Sequence, residues 1–383
     1  MHEGWIWPAC VRNQPGNLEK SYNGSIMLKR IVYLGYYLKQ LDTKSFRCFF
    51  DHVKTQQGCN AVFLMCDIAY SSLRYNISLL EYFQFGFYAK SRKERSTWAG
   101  TGTMYEYQRI MNPPDQRGIL DDKREFAKTY RDFMLHQTAT YDEIRKDAAI
   151  AERLLCNPSG RIVFKVSNGK CGRQVEIETT DKFTATSLPG FMEENGYDLV
   201  EAFVQQHGEL NRLSPSGVNT VRIITQLDAD DAVHILGCRQ RISIDSPIDN
   251  MAAGNIAAAI DEKTGIICGK GFYSDMTKPP VETHPMTGVP LVGFQVPYWT
   301  EIMALVKSAA LVNTRNRSIG WDVVVTDLGP GLIEGNHDWC KLVWQLPVQK
   351  GLKPVLDGYL AEYRRTTNRR LFNTNGREGC LNH

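Results

Sequence analysis

The 383-residue sequence predicts an α+β protein with a helical N-terminal region. Apolar residues recur at helical spacing from Ile26 to Tyr88, and alternating, β-branched segments dominate beyond Arg161. Strands and helices are mixed without the regular alternation that would build a wound parallel sheet. The length allows two or three subdomains, because single cores seldom grow past about 250 to 300 residues.

From Ile26 to about Gln56 the apolar set is Ile31, Leu34, Leu38 and Leu41, then Phe46, Phe49, Phe50 and Val53. A second helical region runs from Ala61 to Tyr88. Its aromatic density is that of a packed core. The charged tract "SRKERSTW" and the segment "MNPPDQRGILDDK", with Pro113, Pro114 and Gly118, interrupt regular structure and set a boundary. Residues 1–117, 118–203 and 204–383 are the expected units. Helix is predicted for Lys123 to His136 and for Tyr141 to Leu155. Strands follow in "RIVFKVS", "QVEIETT", "DLVEAFVQQ", "NTVRIITQLD", "AVHILGCRQRIS" and "AAAIDEKTGIICGKG". A helix, "PYWTEIMALVKSAALV", precedes a hairpin, and a polar tail is expected to close the chain.

Hydrophobic content of 43% and charged content of 23% fit a globular chain, and a formal net charge of +3 gives no global field for nucleic acid or an anionic membrane. Ten cysteines lie at Cys10, Cys48, Cys59, Cys66, Cys156, Cys171, Cys238, Cys268, Cys340 and Cys380 without metal-ligand spacing, so free thiols in a reducing cytoplasm are expected. The run "SIMLKRIVYLGYYLK" is broken by Lys29 and Arg30, well short of the ~20 apolar residues that a span needs.

Four segments can carry chemistry. In "RIVFKVSNGKCGRQVEIE", Lys165 leads into a small-residue loop from Ser167 to Arg173. Its backbone N–H groups and cations can fold over an anion, or it is simply an exposed hairpin. Glu201 lies mid-strand in "LVEAFVQQ", where the backbone of Ala202, Phe203 and Val204 can offer a purine one donor and one acceptor. Arg222 sits in an apolar strand and needs either an ion pair or an anionic ligand. Arg239 and Arg241 add charge of the same kind. Finally, "GWDVVVTDLGPGLIEGN" predicts a hairpin with strands at Asp322 to Thr326 and Leu332 to Glu334 joined through "DLGPG". Strand alternation points Glu334 and Asn336 the same way, with Asp322 opposite. Two readings remain open on spacing alone: a hard-oxygen cage for Mg²⁺, or a turn cap at Asp322 and an arginine pair at Glu334.

Taken in order, "LDDK", "VFKVSNGKCG", "LVEAFVQQH", "VNTVRIIT", "NIAAAIDEKTG", "THPMTG" and "GWDVVVTDLGPGLIEGN" resemble the sugar-transfer-associated ATP-grasp family. The similarity covers roughly Tyr82 to Trp344. It implies an ATP-grasp fold, two α+β subdomains that sandwich ATP. By that resemblance Lys123 and Lys165 match the lysines on the ATP phosphates, and Ser167, Asn168, Gly169 and Lys170 belong to the glycine-rich flap. Glu201, Ala202, Phe203 and Val204 match the adenine-binding hinge, with His207 or Glu209 as the ribose partner. Arg222, with Lys165, matches the cations at the transferring phosphoryl group, and Asp322, Glu334 and Asn336 match the Mg²⁺ ligands.

The implied activity is an ATP-dependent, ADP-forming carboxylate–amine ligase working through an acylphosphate, with small-molecule substrates and no nucleic acid. A kinase acting on a hydroxyl and a non-catalytic nucleotide-binding scaffold are the rivals. No Ser or Cys nucleophile with a paired His is evident. His284 and His337 are weighed as acceptor-side groups and as ordinary turn or surface histidines.

Overall fold

The computed structural model describes residues 22–166 and 175–378. The N-terminal region is helical: α1 (Tyr22–Lys39), α2 (Thr43–Gln57), α3 (Ala61–Tyr75) and α4 (Leu79–Gln84). The expected first helical region is two helices, because the Asp42 carboxylate accepts from the Lys44 and Ser45 amides and starts a new helix there. α2 ends at Gly58 and α3 at Asn76, both in the left-handed conformation, and Ser78 and Glu81 form a capping box on α4. Phe49, Val53, Leu64, Ile68, Tyr82 and Phe83 make the core of this bundle. The dense aromatics are therefore packing residues.

Two antiparallel sheets follow. The first has the order β1 (Thr138–Thr140), β4 (Leu199–Ala202), β2 (Arg161–Lys165), β3 (Val175–Thr179). Its Ile162, Phe164, Val200 and Ala202 face one way, onto Ile144, Leu154, Leu188 and Met192 of the helices Tyr141–Lys146, Ala148–Leu155 and Leu188–Asn195. Alternation sends Val163, Lys165 and Glu201 to the other face. The second sheet has the order β10 (Gly329–Asn336), β9 (Ser318–Thr326), β5 (Val221–Leu227), β6 (Val233–Ile242), β7 (Ile256–Ile260), β8 (Phe272–Tyr273). Val221, Ile223, Trp321, Val323 and Leu332 pack against the helix Trp299–Ala310 and against Phe126 and Tyr130. On the reverse face Ile224 meets Met104, Tyr107 and Met111 of the helix Thr101–Met111, together with Trp339, Trp344 and Leu356.

Three local expectations are corrected. The helix expected over Lys123 to His136 stops at Thr129, followed by a short 3₁₀ turn and β1. The stretch Tyr141 to Leu155 is two helices, because the Asp147 carboxylate accepts from the Ala149 amide and restarts the helix. The expected polar tail is the helix Lys353–Glu378; Leu352, Leu356, Tyr359, Leu360 and Tyr363 form an apolar stripe on the second sheet. Among the described residues Cys48, Cys59, Cys66, Cys156, Cys238, Cys268 and Cys340 are free thiols.

Candidate functional site

The hairpin of β9 and β10 is tighter than "DLGPG" suggests. Thr326 pairs with Gly329, so only Asp327 and Leu328 form the turn, and Pro330 and Gly331 are already in strand. Gly329 has φ +123°, a conformation open to glycine. Leu332 then opposes Val323, but Glu334 opposes Asp322, so Ile333 is an extra residue on β10. This bulge has a large consequence. In regular alternation Glu334 would share the face of Leu332, which is the apolar core. The extra residue turns Glu334 to the face of Asp322 instead.

On that face charges collect. Arg222 lies directly opposite Asp322 on β5. Its Nε donates to Asp322 Oδ1 at 2.5 Å and its Nη2 to Oδ2 at 2.9 Å, while Arg241 Nη1 donates to Oδ2 at 2.7 Å. Arg241 also pairs with Asp249 at 2.7 Å, and Asp249 accepts from the Thr220 amide and hydroxyl. Burial works against ionising Asp322, yet Arg222 and Arg241 outweigh it and hold its carboxyl far below the ordinary range. For Glu334 burial and the adjacent negative Asp322 act together and raise the pKa. Asn336 Nδ2 donates to Glu334 Oε1 at 3.2 Å.

Glu334, Asn336 and Asp322 could hold a divalent cation of the Mg²⁺ kind, Asp322 only by sharing oxygens that already accept from Arg222 and Arg241. Such an ion takes one or two carboxylates and draws its remaining ligands from water and phosphate. A half-buried carboxylate whose charge is disfavoured by its neighbour gains most from a cation beside it. Among the described residues no group of three or more His, Cys, Asp or Glu side chains is placed to hold a metal.

The first sheet contributes Lys165, whose ammonium is bonded to Glu201. His136 Nε2 is 3.6 Å from the same carboxylate. Burial alone would raise Glu201, but Lys165 and His136 bring it down to about 2. Lys123 stands at the start of the helix Lys123–Thr129, anchored on the second sheet through Phe126 and Tyr130. Its Nζ donates to Val166 O at 3.5 Å. Burial lowers its pKa, Lys165 adds to that, and Glu334 and Glu201 oppose it. Lys123 thus feels both sheets.

At the end of β4 and just beyond it, the Ala202 amide donates to Gln137 O and the Phe203 amide to Arg161 O, and the Arg161 guanidinium covers the Phe203 ring at 4.2 Å. Val204 is half-buried. Glu209 is exposed and paired with Arg212 at 2.7 Å, while His207 caps the helix Gly208–Leu213 and stands 3.6 Å from Asp327. Ser167, Asn168, Gly169 and Lys170 lie outside the described residues.

Other charged groups have structural partners. Arg239, cross-strand from Arg222, donates to Trp344 O and Cys238 O. His284 bonds Ser243 O and accepts from the Met286 and Thr287 amides, a buried turn histidine. His337 is buried and meets Asp121 at 3.0 Å. Sequence reasoning missed His136 and Asp249. His136 lies just outside β1 and carries no periodic signal. Asp249 sits in a loop, and only the fold brings it to Arg241.

Two antiparallel sheets, each backed by helices, are the α+β arrangement of an ATP-grasp fold. The chain belongs to the sugar-transfer associated ATP-grasp family, whose model matches residues 103–359, more than half of the sequence. Solved structures similar to it include the D-cycloserine synthetase DcsG (11% identity, 69% of this chain and 78% of that chain, TM-score 0.40). Others are the ATP-grasp ligase PsnB complexed with minimal precursor (12%, 70% and 70%, 0.39) and the D-alanine–D-alanine ligase from Coxiella burnetii (11%, 68% and 62%, 0.38). No curated protein sequence matches the chain.

Proposed function

We propose that the protein is an ATP-dependent, ADP-forming carboxylate–amine ligase that joins small molecules, an amino acid and a sugar or related metabolite among the candidates. The observation that carries this reading is the position of Lys123, on a helix packed against the second sheet through Phe126 and with its Nζ donating to Val166 O just past the end of β2 in the first. A polyphosphate lying between the sheets would meet cations from both sides.

In this reading residues 118–203 and 204–383 form the two sides of the nucleotide site, in the cytoplasm where ATP is available. Lys123 and Lys165 bind phosphate oxygens, with Ser167, Asn168, Gly169 and Lys170 closing over them. Ala202, Phe203 and Val204 line the adenine. The Ala202 and Phe203 amides already donate to backbone, which moves the donor role to Val204. Arg222 holds negative charge at the transferred phosphoryl group, and Asp322, Glu334 and Asn336 hold Mg²⁺. The ion, when bound, offsets charge on the phosphate oxygens.

The substrate carboxylate attacks the γ-phosphorus as the bond to ADP breaks; the amine then attacks the acyl carbon, and orthophosphate leaves with a proton lost from nitrogen. Closure over the acylphosphate keeps out the water that would hydrolyse it.

The test is a screen of carboxylate and amine pairs for Mg²⁺-dependent ADP release, with mass spectrometry of the products. An amide product with orthophosphate, formed only when an amine is present, is expected. A stable phosphorylated alcohol would replace the ligase with a kinase, and binding of ATP without turnover of any pair would favour a scaffold.

A further inference from the structure

The most anomalous surface lies far from the charged site, on the N-terminal helices. α3 buries Leu64 and Ile68 in the bundle core, as an amphipathic helix should. Its other side is also apolar: Val62 is 71% exposed and Phe63 69%, with Met65, Cys66, Ala69 and Tyr70 exposed beside them. A helix that is hydrophobic all round normally has something covering it. α1, which packs on α3 and whose Arg30 bonds the carbonyls of Leu73 and Arg74, repeats the pattern. Leu28, Ile31, Val32 and Leu38 are exposed at helical spacing.

Cations border this surface. Arg74 lies over the Tyr75 ring at 5.9 Å and Arg92 over Tyr70 at 6.0 Å, while Lys29 and Lys39 are exposed on α1. Acidic groups are fewer, the exposed Glu106, which accepts from the α1 Tyr33 hydroxyl at 3.2 Å, being one. α1 has none, and the one acid of α3, Asp67, is spent on Arg95 at 2.7 and 2.9 Å and on the Tyr82 hydroxyl. Residues 28–75 carry seven Lys and Arg against three Asp and Glu, an excess larger than the +3 of the whole chain. The near-neutral total therefore conceals a basic region.

We infer that α1 and α3 form a docking surface for an anionic phospholipid bilayer, with Phe63 and its neighbours entering the interface and the bordering Lys and Arg meeting the headgroups. Apolar side chains framed by cations are the composition that holds interfacial helices on such membranes. Among the described residues no helix is long and apolar enough to cross a membrane, and the proposed contact uses the exposed faces of α1 and α3. A second copy of the chain covers the apolar side chains equally well but brings like-charged borders together in a two-fold contact. An anionic surface satisfies both features.

The test is co-sedimentation of the full chain with vesicles of phosphatidylcholine alone or mixed with phosphatidylglycerol. Binding to the mixed vesicles, weakened by salt and absent from phosphatidylcholine alone, is expected. Phe63→Asp should weaken it about tenfold or more, and Arg92→Gln or Arg74→Gln about fivefold each. All three positions are exposed, and an unchanged thermal midpoint verifies that the variants fold. The inference is overturned if the wild-type chain stays in solution with both vesicle types, or binds both equally. It is also overturned if the chain is a dimer in solution that Phe63→Asp splits.

Discussion

Replacing Asp322 by Asn tests the charge arrangement most directly, because the change keeps the shape and removes one charge. Asp322 is 2% exposed and Arg222 6%, so water does little to compensate. Removing one partner of a buried ion pair costs about 3–5 kcal/mol, mostly for the charge left behind. Two features set this case near the lower end of that range. Arg241 keeps Asp249 at 2.7 Å, and Arg222 keeps the nearby Glu334, whose carboxyl ionises more readily once Asp322 is neutral. A loss of about 3 kcal/mol is expected in urea unfolding followed by the fluorescence of buried Trp321, Trp339 and Trp344. The pH dependence has a definite sign. Asp322 has a depressed folded pKa, so its contribution is present above the unfolded carboxyl value and is lost as pH falls through the folded one. The gap between wild type and Asp322→Asn should therefore persist from neutral pH down to about pH 5, and narrow progressively in stronger acid. Combining Asp322→Asn with Arg222→Met should cost less than the sum of the two by about 1 kcal/mol or more. A variant within about 0.5 kcal/mol of wild type, or an additive pair, would refute the reasoning.

Glu334→Gln is expected to lower Mg²⁺-dependent ADP release by about 100-fold or more, while leaving the metal-free protein at neutral pH as stable as wild type or more so. Its elevated pKa means that the ionised carboxylate weighs against folding as pH rises; retention of full turnover would sink the metal assignment. Lys165→Met should strand Glu201, raise its pKa from about 2 and destabilise the first sheet by about 3 kcal/mol, read by NMR titration and urea unfolding. An unshifted Glu201 would contradict that. Deleting Ile333 removes the bulge and should abolish Mg²⁺-dependent ADP release, whereas Ile333→Ala, which keeps the extra backbone residue, should retain it. Equal activity in both variants would show that the bulge does not orient Glu334.

The α+β class and most strands were legible because they rest on local periodicity. The segments around Lys165, Glu201 and Arg222 read as strands from their composition and alternation, and the strand register then puts Lys165 and Glu201 on the face away from Phe164 and Val200. Caps such as Asp42 and Asp147 were less legible, since one carboxylate inside a helical pattern splits a helix without changing its apolar spacing. The C-terminal helix was hidden by its polar residues, although the stripe from Leu352 to Tyr363 was present in the sequence.

What the chain by itself determined, then, was which residues alternate, where strands run, and that Glu334 and Asn336 share a face. Only the tertiary structure decided what that face meets. Asp322 and Arg222 are neighbours because β9 lies beside β5, and Glu334 joins them because one extra residue in β10 reverses its alternation. Periodicity is written between residues a few positions apart and can be read along the chain. Ion pairs and strand register depend on which segments lie side by side, and that is settled by burying both sheet faces together.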